Sequence, residues 1–171
     1  KEDAVGVDAQ SGCYGNALQA AAWRGNESIV QLLLEHGAQV NAQGGHYGNA
    51  LQAAAYQGNQ SVVQLLFERG AEVNAQGGRY GNALQAVACT GSESAVQLLL
   101  ERGAAVNAQG GYCGNALQAA AFSGKESVVQ LLLEHGAEVN APGGRYGNAL
   151  QAAVCSGKES VVRLLLTHGA E

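Results

Sequence analysis

The sequence predicts an all-α solenoid, a stack of helix-turn-helix units joined by projecting hairpin loops. Three observations carry that prediction: one string recurs at a fixed step, each step holds two short helical segments, and glycine-rich joins separate the steps. The string Gly-Asn-Ala-Leu-Gln-Ala starts at Gly15, Gly48, Gly81, Gly114 and Gly147, each 33 residues after the last, so five units are present. A second string, Gln-Leu-Leu followed by an apolar residue and a later Gly-Ala pair, keeps the same step from Gln31, Gln64, Gln97 and Gln130, with Arg163 replacing Gln in the final unit. The units run over 11–43, 44–76, 77–109, 110–142 and 143–171, the last truncated, behind a lead-in over 1–10.

Within each unit the first helix opens on a capping box. Asn49 can accept from the backbone N–H of Gln52 while the Gln52 side chain reaches back, a device that stabilises a helix start by about 1 kcal/mol. The helix runs through Ala53, Ala54 and Ala55 and stops at Gly58, a residue that enters the left-handed conformation without strain. The second helix, Ser61 to Glu68, is apolar on most sides with Gln60, Gln64 and Glu68 as its polar stripe, and Gly70 ends it. Neither helix can hide its apolar surface inside one unit, so stability has to come from stacking units on one another. Small alanines on the first helices and leucines on the second make the stack tighter on the first-helix side, which curves the array. The joins, such as Ala75 to Gly81, contain the glycines a hairpin loop needs.

Composition narrows the function. The chain of 171 residues has nine basic and fourteen acidic side chains, a net charge of −5, which argues against general binding to nucleic acid or to an anionic membrane. No apolar run is long enough to span a bilayer or to act as a signal peptide. The sequence contains no Met and does not open with one, so it reads as a piece of a longer chain. The four cysteines, Cys13, Cys89, Cys113 and Cys155, show no CxxC spacing and no regular pairing. Cys89 and Cys155 hold the same place two units apart, on the order of 20 Å and beyond disulfide reach. All four therefore read as reduced thiols, which fits a reducing, cytoplasmic compartment.

The 33-residue step, the AA-x-x-G end of the first helix, the VV-x-LLL second helix and the closing GA-x-VNA seen at Gly136 to Ala141 resemble the ankyrin repeat. The resemblance covers residues 11–171 and departs from the family in two places. Asn-Ala-Leu-Gln stands where Thr-Pro-Leu-His is usual, keeping the cap but losing the helix-opening proline, and the loop reads Gly-Gly-x-Tyr-Gly. This dialect is similar to ankyrin arrays in fungal proteins attached to NACHT-type NTPases of the NOD-like receptor kind. The resemblance implies a module that grips a protein or peptide through its loop tips and inner-helix ends, and, in the receptor context, ligand sensing.

Specificity is sought where the copies disagree. Three columns vary while the framework does not: the loop residues Cys13, His46, Arg79, Tyr112 and Arg145; the helix-end residues Trp23, Tyr56, Cys89, Phe122 and Cys155; and their neighbours Arg24, Gln57, Thr90, Ser123 and Ser156. Trp, Tyr and Arg dominate interface hot spots through large buried area and forked hydrogen bonding. Trp23, Tyr56 and Phe122 have a second reading as covers that pack on neighbouring units. The recurring loop tyrosines Tyr14, Tyr47, Tyr80 and Tyr146 read as structural and are left out of the site. From each loop through the end of its first helix there is no Asp or Glu, whereas Arg24, Arg79 and Arg145 are present. The expected groove is weakly positive and prefers a neutral to mildly acidic protein or peptide.

Catalysis finds no support. His36, His135 and His168 share one late second-helix position in different units, no nucleophile–base set converges, and the Gly-Gly-x-Tyr-Gly loops lack the Lys-Ser/Thr of a phosphate loop. Cys and His do not gather at metal-ligand spacing, so neither metal nor cofactor is expected. A passive spacer or an engineered scaffold without its own ligand is the alternative to a binding module. At the ends, Val7-Asp8-Ala9-Gln10 echoes Val40-Asn41-Ala42-Gln43, and the last unit lacks a polar cap. Partial exposure of Val161, Leu164 and Leu165 is expected there, and with it end-to-end self-association.

Overall fold

The computed structural model describes residues 6–171, so residues 1–5 of the lead-in lie outside the described residues. Among the described residues ten helices follow one another in pairs: α1 Ala17–Arg24 and α2 Glu27–Glu35, α3 Ala50–Gln57 and α4 Gln60–Glu68, α5 Ala83–Thr90 and α6 Glu93–Glu101, α7 Ala116–Ser123 and α8 Glu126–Glu134, α9 Ala149–Cys155 and α10 Glu159–Thr167. The first helices start where the sequence places them. Asn16, Asn49, Asn82, Asn115 and Asn148 each accept from the backbone N–H three residues on. The reciprocal arm of the capping box closes at Asn16 and Asn82 but not at Asn49, where the Gln52 Oε1 finds no donor. Four first helices stop on a left-handed glycine such as Gly58, at φ 69°; α9 ends earlier, on Ser156.

The inner glutamines have a larger role than capping. Gln19 Nε2 donates to the carbonyls of Ala42 and Gly48, and Gln85 Nε2 donates to those of Ala108 and Gly114, at 2.9–3.1 Å. Gln52 Nε2 reaches Ala75 and Gly81 in the same way, whereas Gln118 Nε2 donates to Ala141 of its own unit. The amides of Gln19, Gln52 and Gln85 thus tie their units to the next loop. On the far side of the stack, the closing Asn makes a matching clamp: Asn74 Nδ2 donates to Gly103 O at 3.1 Å while Ala105 N donates to Asn74 Oδ1 at 2.8 Å. Asp8 takes on Gln39 N the place that Asn41 takes on Glu72 N. Hydrogen bonds at both edges hold the register between units, because a shifted neighbour would leave buried carbonyls without donors.

The core is a continuous ribbon of alanine, valine and leucine through all five units, including fully buried Leu51, Leu66, Leu84, Leu99, Leu117 and Leu132. First helices pack closely on first helices, and second helices touch one another far less, as the contrast of Ala against Leu dictates. The expectation for the last unit needs correction. Val161 and Leu165 are fully buried and Leu164 is half-buried, because α9 and the preceding α8 already cover them. Among the described residues the large apolar side chains that stay exposed are Val154 and Leu166 in the last unit and Ile29 and Leu32 in the first.

Candidate partner-binding surface

Each loop closes on one antiparallel bridge, for instance Gly77 to Gly81. The tight turn places Gly78 at φ 60°, against the carbonyl of Tyr47 in the preceding loop, where a Cβ would run into the carbonyl carbon and oxygen. This close approach lets the loops hydrogen-bond to one another. His46 N donates to Cys13 O at 2.8 Å, Arg79 N to His46 O at 2.9 Å, Tyr112 N to Arg79 O at 2.9 Å and Arg145 N to Tyr112 O at 3.3 Å. The five residues of the variable loop column are therefore consecutive rungs of a backbone ladder. Their main chains hold one another, and their side chains stand clear.

The ladder brings part of the expected site together. Arg79 and Arg145 stand over the Tyr112 ring, guanidinium carbons 5.2 and 5.3 Å from its centroid, and an Arg145 Nη1 donates to the Tyr112 hydroxyl. Arg24 lies over Trp23 at 4.9 Å. Stacking a guanidinium on a ring leaves its N–H fork available for a carboxylate or carbonyl. Among the described residues the one ion pair joins Arg163 to Glu159 on α10, and none of these three arginines pairs there with an acidic side chain. A cavity of about 220 Å³ opens among Tyr56, Arg79, Tyr80, Cys89, Tyr112, Cys113, Phe122 and Ser123.

Other columns are less uniform. Cys13, His46, Gln57 and Cys155 are exposed without converging on the Tyr112 cluster, although His46 meets Tyr47 and Tyr80 edge-on. The hydroxyls of Thr90 and Ser156 donate to carbonyls of their own helices, Val87 and Ala152, so they offer acceptors only. Ser123 lines the cavity.

Both readings of the aromatic column find a place in the geometry. Tyr56 stacks between units on Tyr80 at 4.7 Å, Phe122 stacks on Tyr146 at 4.5 Å, and Trp23 packs on Tyr14 at 5.0 Å, yet all three helix-end rings remain partly open. Burial, followed by a hydrogen bond with Tyr56, holds the Tyr80 phenol well above the ordinary tyrosine range, so it stays neutral. The loop tyrosines belong to the same surface as the variable residues. Their constancy along the chain hid this, since a search for disagreement passes over a position that never changes.

Two of the four cysteines also come together. Cys89 and Cys113, from adjacent units, line the same cavity. All four cysteines are free. The signal was present in the spacing of the aromatic contacts, because a helix-end residue meets the loop residue 24 positions later, as Tyr56 meets Tyr80.

The histidines of the second helices are accounted for without catalysis. Nδ1 of His36, His135 and His168 lies 2.8–2.9 Å from the carbonyls of Leu32, Leu131 and Leu164, so each ring caps its own helix end. Among the described residues no three His, Cys, Asp or Glu side chains group as metal ligands, and no helix is long and apolar enough to cross a membrane.

The paired helices, the hairpin loops and the inter-unit register describe a repeat array, and the family profile for "Ankyrin repeats (3 copies)" matches residues 3–77 and 84–171. The chain belongs to the ankyrin repeat family. Ankyrin repeats are in general protein–protein interaction modules, typically non-enzymatic. A 34-residue stretch of this ankyrin array is 62% identical to part of the Monascus ruber protein named "Azaphilone pigments biosynthesis cluster protein L". That stretch takes in 20% of the chain and 7% of the relative.

Proposed function

We propose that this array binds a neutral to mildly acidic segment of another protein along the loop tips and first-helix ends. The observation that carries the reading is the Tyr112 ring set between Arg79 and Arg145, on a surface whose backbone is already bonded. Rigid rungs reduce the entropy a partner must overcome on docking, and stacked guanidiniums present hydrogen-bond donors to an incoming carboxylate or carbonyl. Arg79, Tyr112, Arg145, Tyr56 and Phe122 form the centre of this surface; Cys13, Trp23, Arg24, His46 and Gln57 extend it toward the first unit, and Cys155 and Ser156 toward the last. Free thiols at four positions agree with a reducing, cytoplasmic setting. The dialect of the repeats supports the narrower role of ligand sensing in a fungal NOD-like receptor.

Peptides selected from a random displayed library on the 171-residue chain supply the test. Replacing Trp23, Tyr56 and Arg79 together by Ala is expected to weaken the selected peptides at least tenfold, with affinity falling as salt rises. Selected peptides that bind the triple variant unchanged would favour the passive-spacer reading, and binding that strengthens with salt would remove the electrostatic part.

A further inference from the structure

A helix-end residue meets the loop residue 24 positions later, in the next unit, at Tyr56 with Tyr80 and at Phe122 with Tyr146. These two junctions each carry two aromatic rings in contact. At the junction of the third and fourth units both partners are cysteine. Rings have been exchanged for thiols on both sides of one contact, although every other helix-end or loop position could have varied alone, as Cys155 does. Two thiols fill much less space than two stacked rings, and both line the cavity of about 220 Å³ found at this junction. Cys113 is 7% exposed and Cys89 is half-buried, so the cavity is the approach to the pair.

We propose that Cys89 and Cys113 form a redox dithiol that exchanges with a small disulfide and closes a covalent bond between the third and fourth units. The Cys113 thiolate attacks one sulfur of a disulfide RSSR, the RS–SR bond breaks, and RS⁻ leaves and takes up a proton. Cys89, after giving its proton to solvent, attacks the Cys113 sulfur of the mixed disulfide. The second RS⁻ leaves and is protonated, so two protein thiols are oxidised, one small disulfide is reduced and two RSH are released. The order of attack follows from the contact. The neighbouring Cys89 thiol, aided by the Arg79 charge, holds the Cys113 thiol below the usual thiol range, while Cys113 and burial push Cys89 up. The closed form fixes the wall of the cavity that also carries Arg79 and Tyr112. The inference stands whether or not a protein partner docks there.

The experiment uses the 171-residue chain with Cys13→Ser and Cys155→Ser, two exposed positions, equilibrated with oxidised and reduced glutathione in native buffer and in concentrated urea. Non-reducing peptide mapping by mass spectrometry reads the products. The expected result is a Cys89–Cys113 disulfide whose equilibrium constant against glutathione is at least tenfold higher in buffer than in urea, together with a rise in Tm of about 5 °C on oxidation. Cys89→Ser is expected to arrest the reaction as a glutathione adduct on Cys113. Separate glutathione adducts on both residues, an unreacted pair, or a disulfide favoured equally in urea would each overturn the proposal. The same mapping on the unsubstituted chain decides the question if a serine variant fails to fold.

Discussion

Truncating the buried glutamine of the central unit gives the sharpest test of how the units are held together. Gln85 is 2% exposed; its Oε1 accepts from Asn82 N at 3.0 Å, and its Nε2 donates to Ala108 O at 3.0 Å and Gly114 O at 2.9 Å. Each such bond contributes about 1 kcal/mol net, and the lost side-chain methylene adds about 0.8 kcal/mol. The Gly114 carbonyl keeps its bond from Gly110 N, which offsets part of the loss. Gln85→Ala should therefore cost about 3 kcal/mol, or about 6–12 °C in Tm for a chain of this size. Gln151 occupies the same place in an identical Asn-Ala-Leu-Gln-Ala string, but it is exposed, and among the described residues its side chain reaches no partner. Gln151→Ala should cost less than about 0.5 kcal/mol. Urea unfolding followed by far-UV circular dichroism measures both, with an unchanged m-value as the check that the transition is comparable. Equal losses at the two positions would show that the glutamine acts through its own helix start and not through the bond to the next unit.

Leu84→Ala and Leu99→Ala remove fully buried side chains and should each cost about 2–5 kcal/mol in the same assay, whereas Leu150→Ala, at a half-buried position, should cost less; losses below about 1 kcal/mol at both central sites contradict the packing. Gly78→Ala should cost about 2 kcal/mol, because its φ of 60° strains an L-residue and the new methyl meets the Tyr47 carbonyl, and an unaltered melt would show that the loops do not rest on one another. The 171-residue chain should associate end to end as its concentration rises, through Ile29 and Leu32 on one face and Val154 and Leu166 on the other. Light scattering at a strictly monomeric mass up to high concentration would exclude that.

Much of the fold was legible because a 33-residue period makes every local signal appear five times. Asn before each first helix and Gly at its end, one residue past Ser156 in the last unit, are short-range devices, and the structure realises them where the string places them. What escaped were contacts whose partners lie in another unit. Gln52 reads as the second half of a capping box, yet its amide goes to carbonyls up to 29 residues away. Burial in the last unit was misjudged for a related reason. Val161 and Leu165 look toward neighbours already present, whereas Val154 and Leu166 hold places that are covered or half-covered in the inner units. At the candidate surface the three variable columns located the loop tips and helix ends, but comparing copies is blind to Tyr80 and its kin, and it treated Cys89 and Cys113 as unrelated.

The bonds between consecutive loops carry a further consequence. Since Arg79 N and O are engaged with His46 and Tyr112 whatever the side chain at 79, that position can be rewritten without displacing the residues beside it. The tips behave like movable type in a fixed frame: spacing and order are set by main chain, and the message by whichever letters are dropped in. A lineage carrying such an array can change its target by a handful of codons while the protein's melting behaviour stays almost constant.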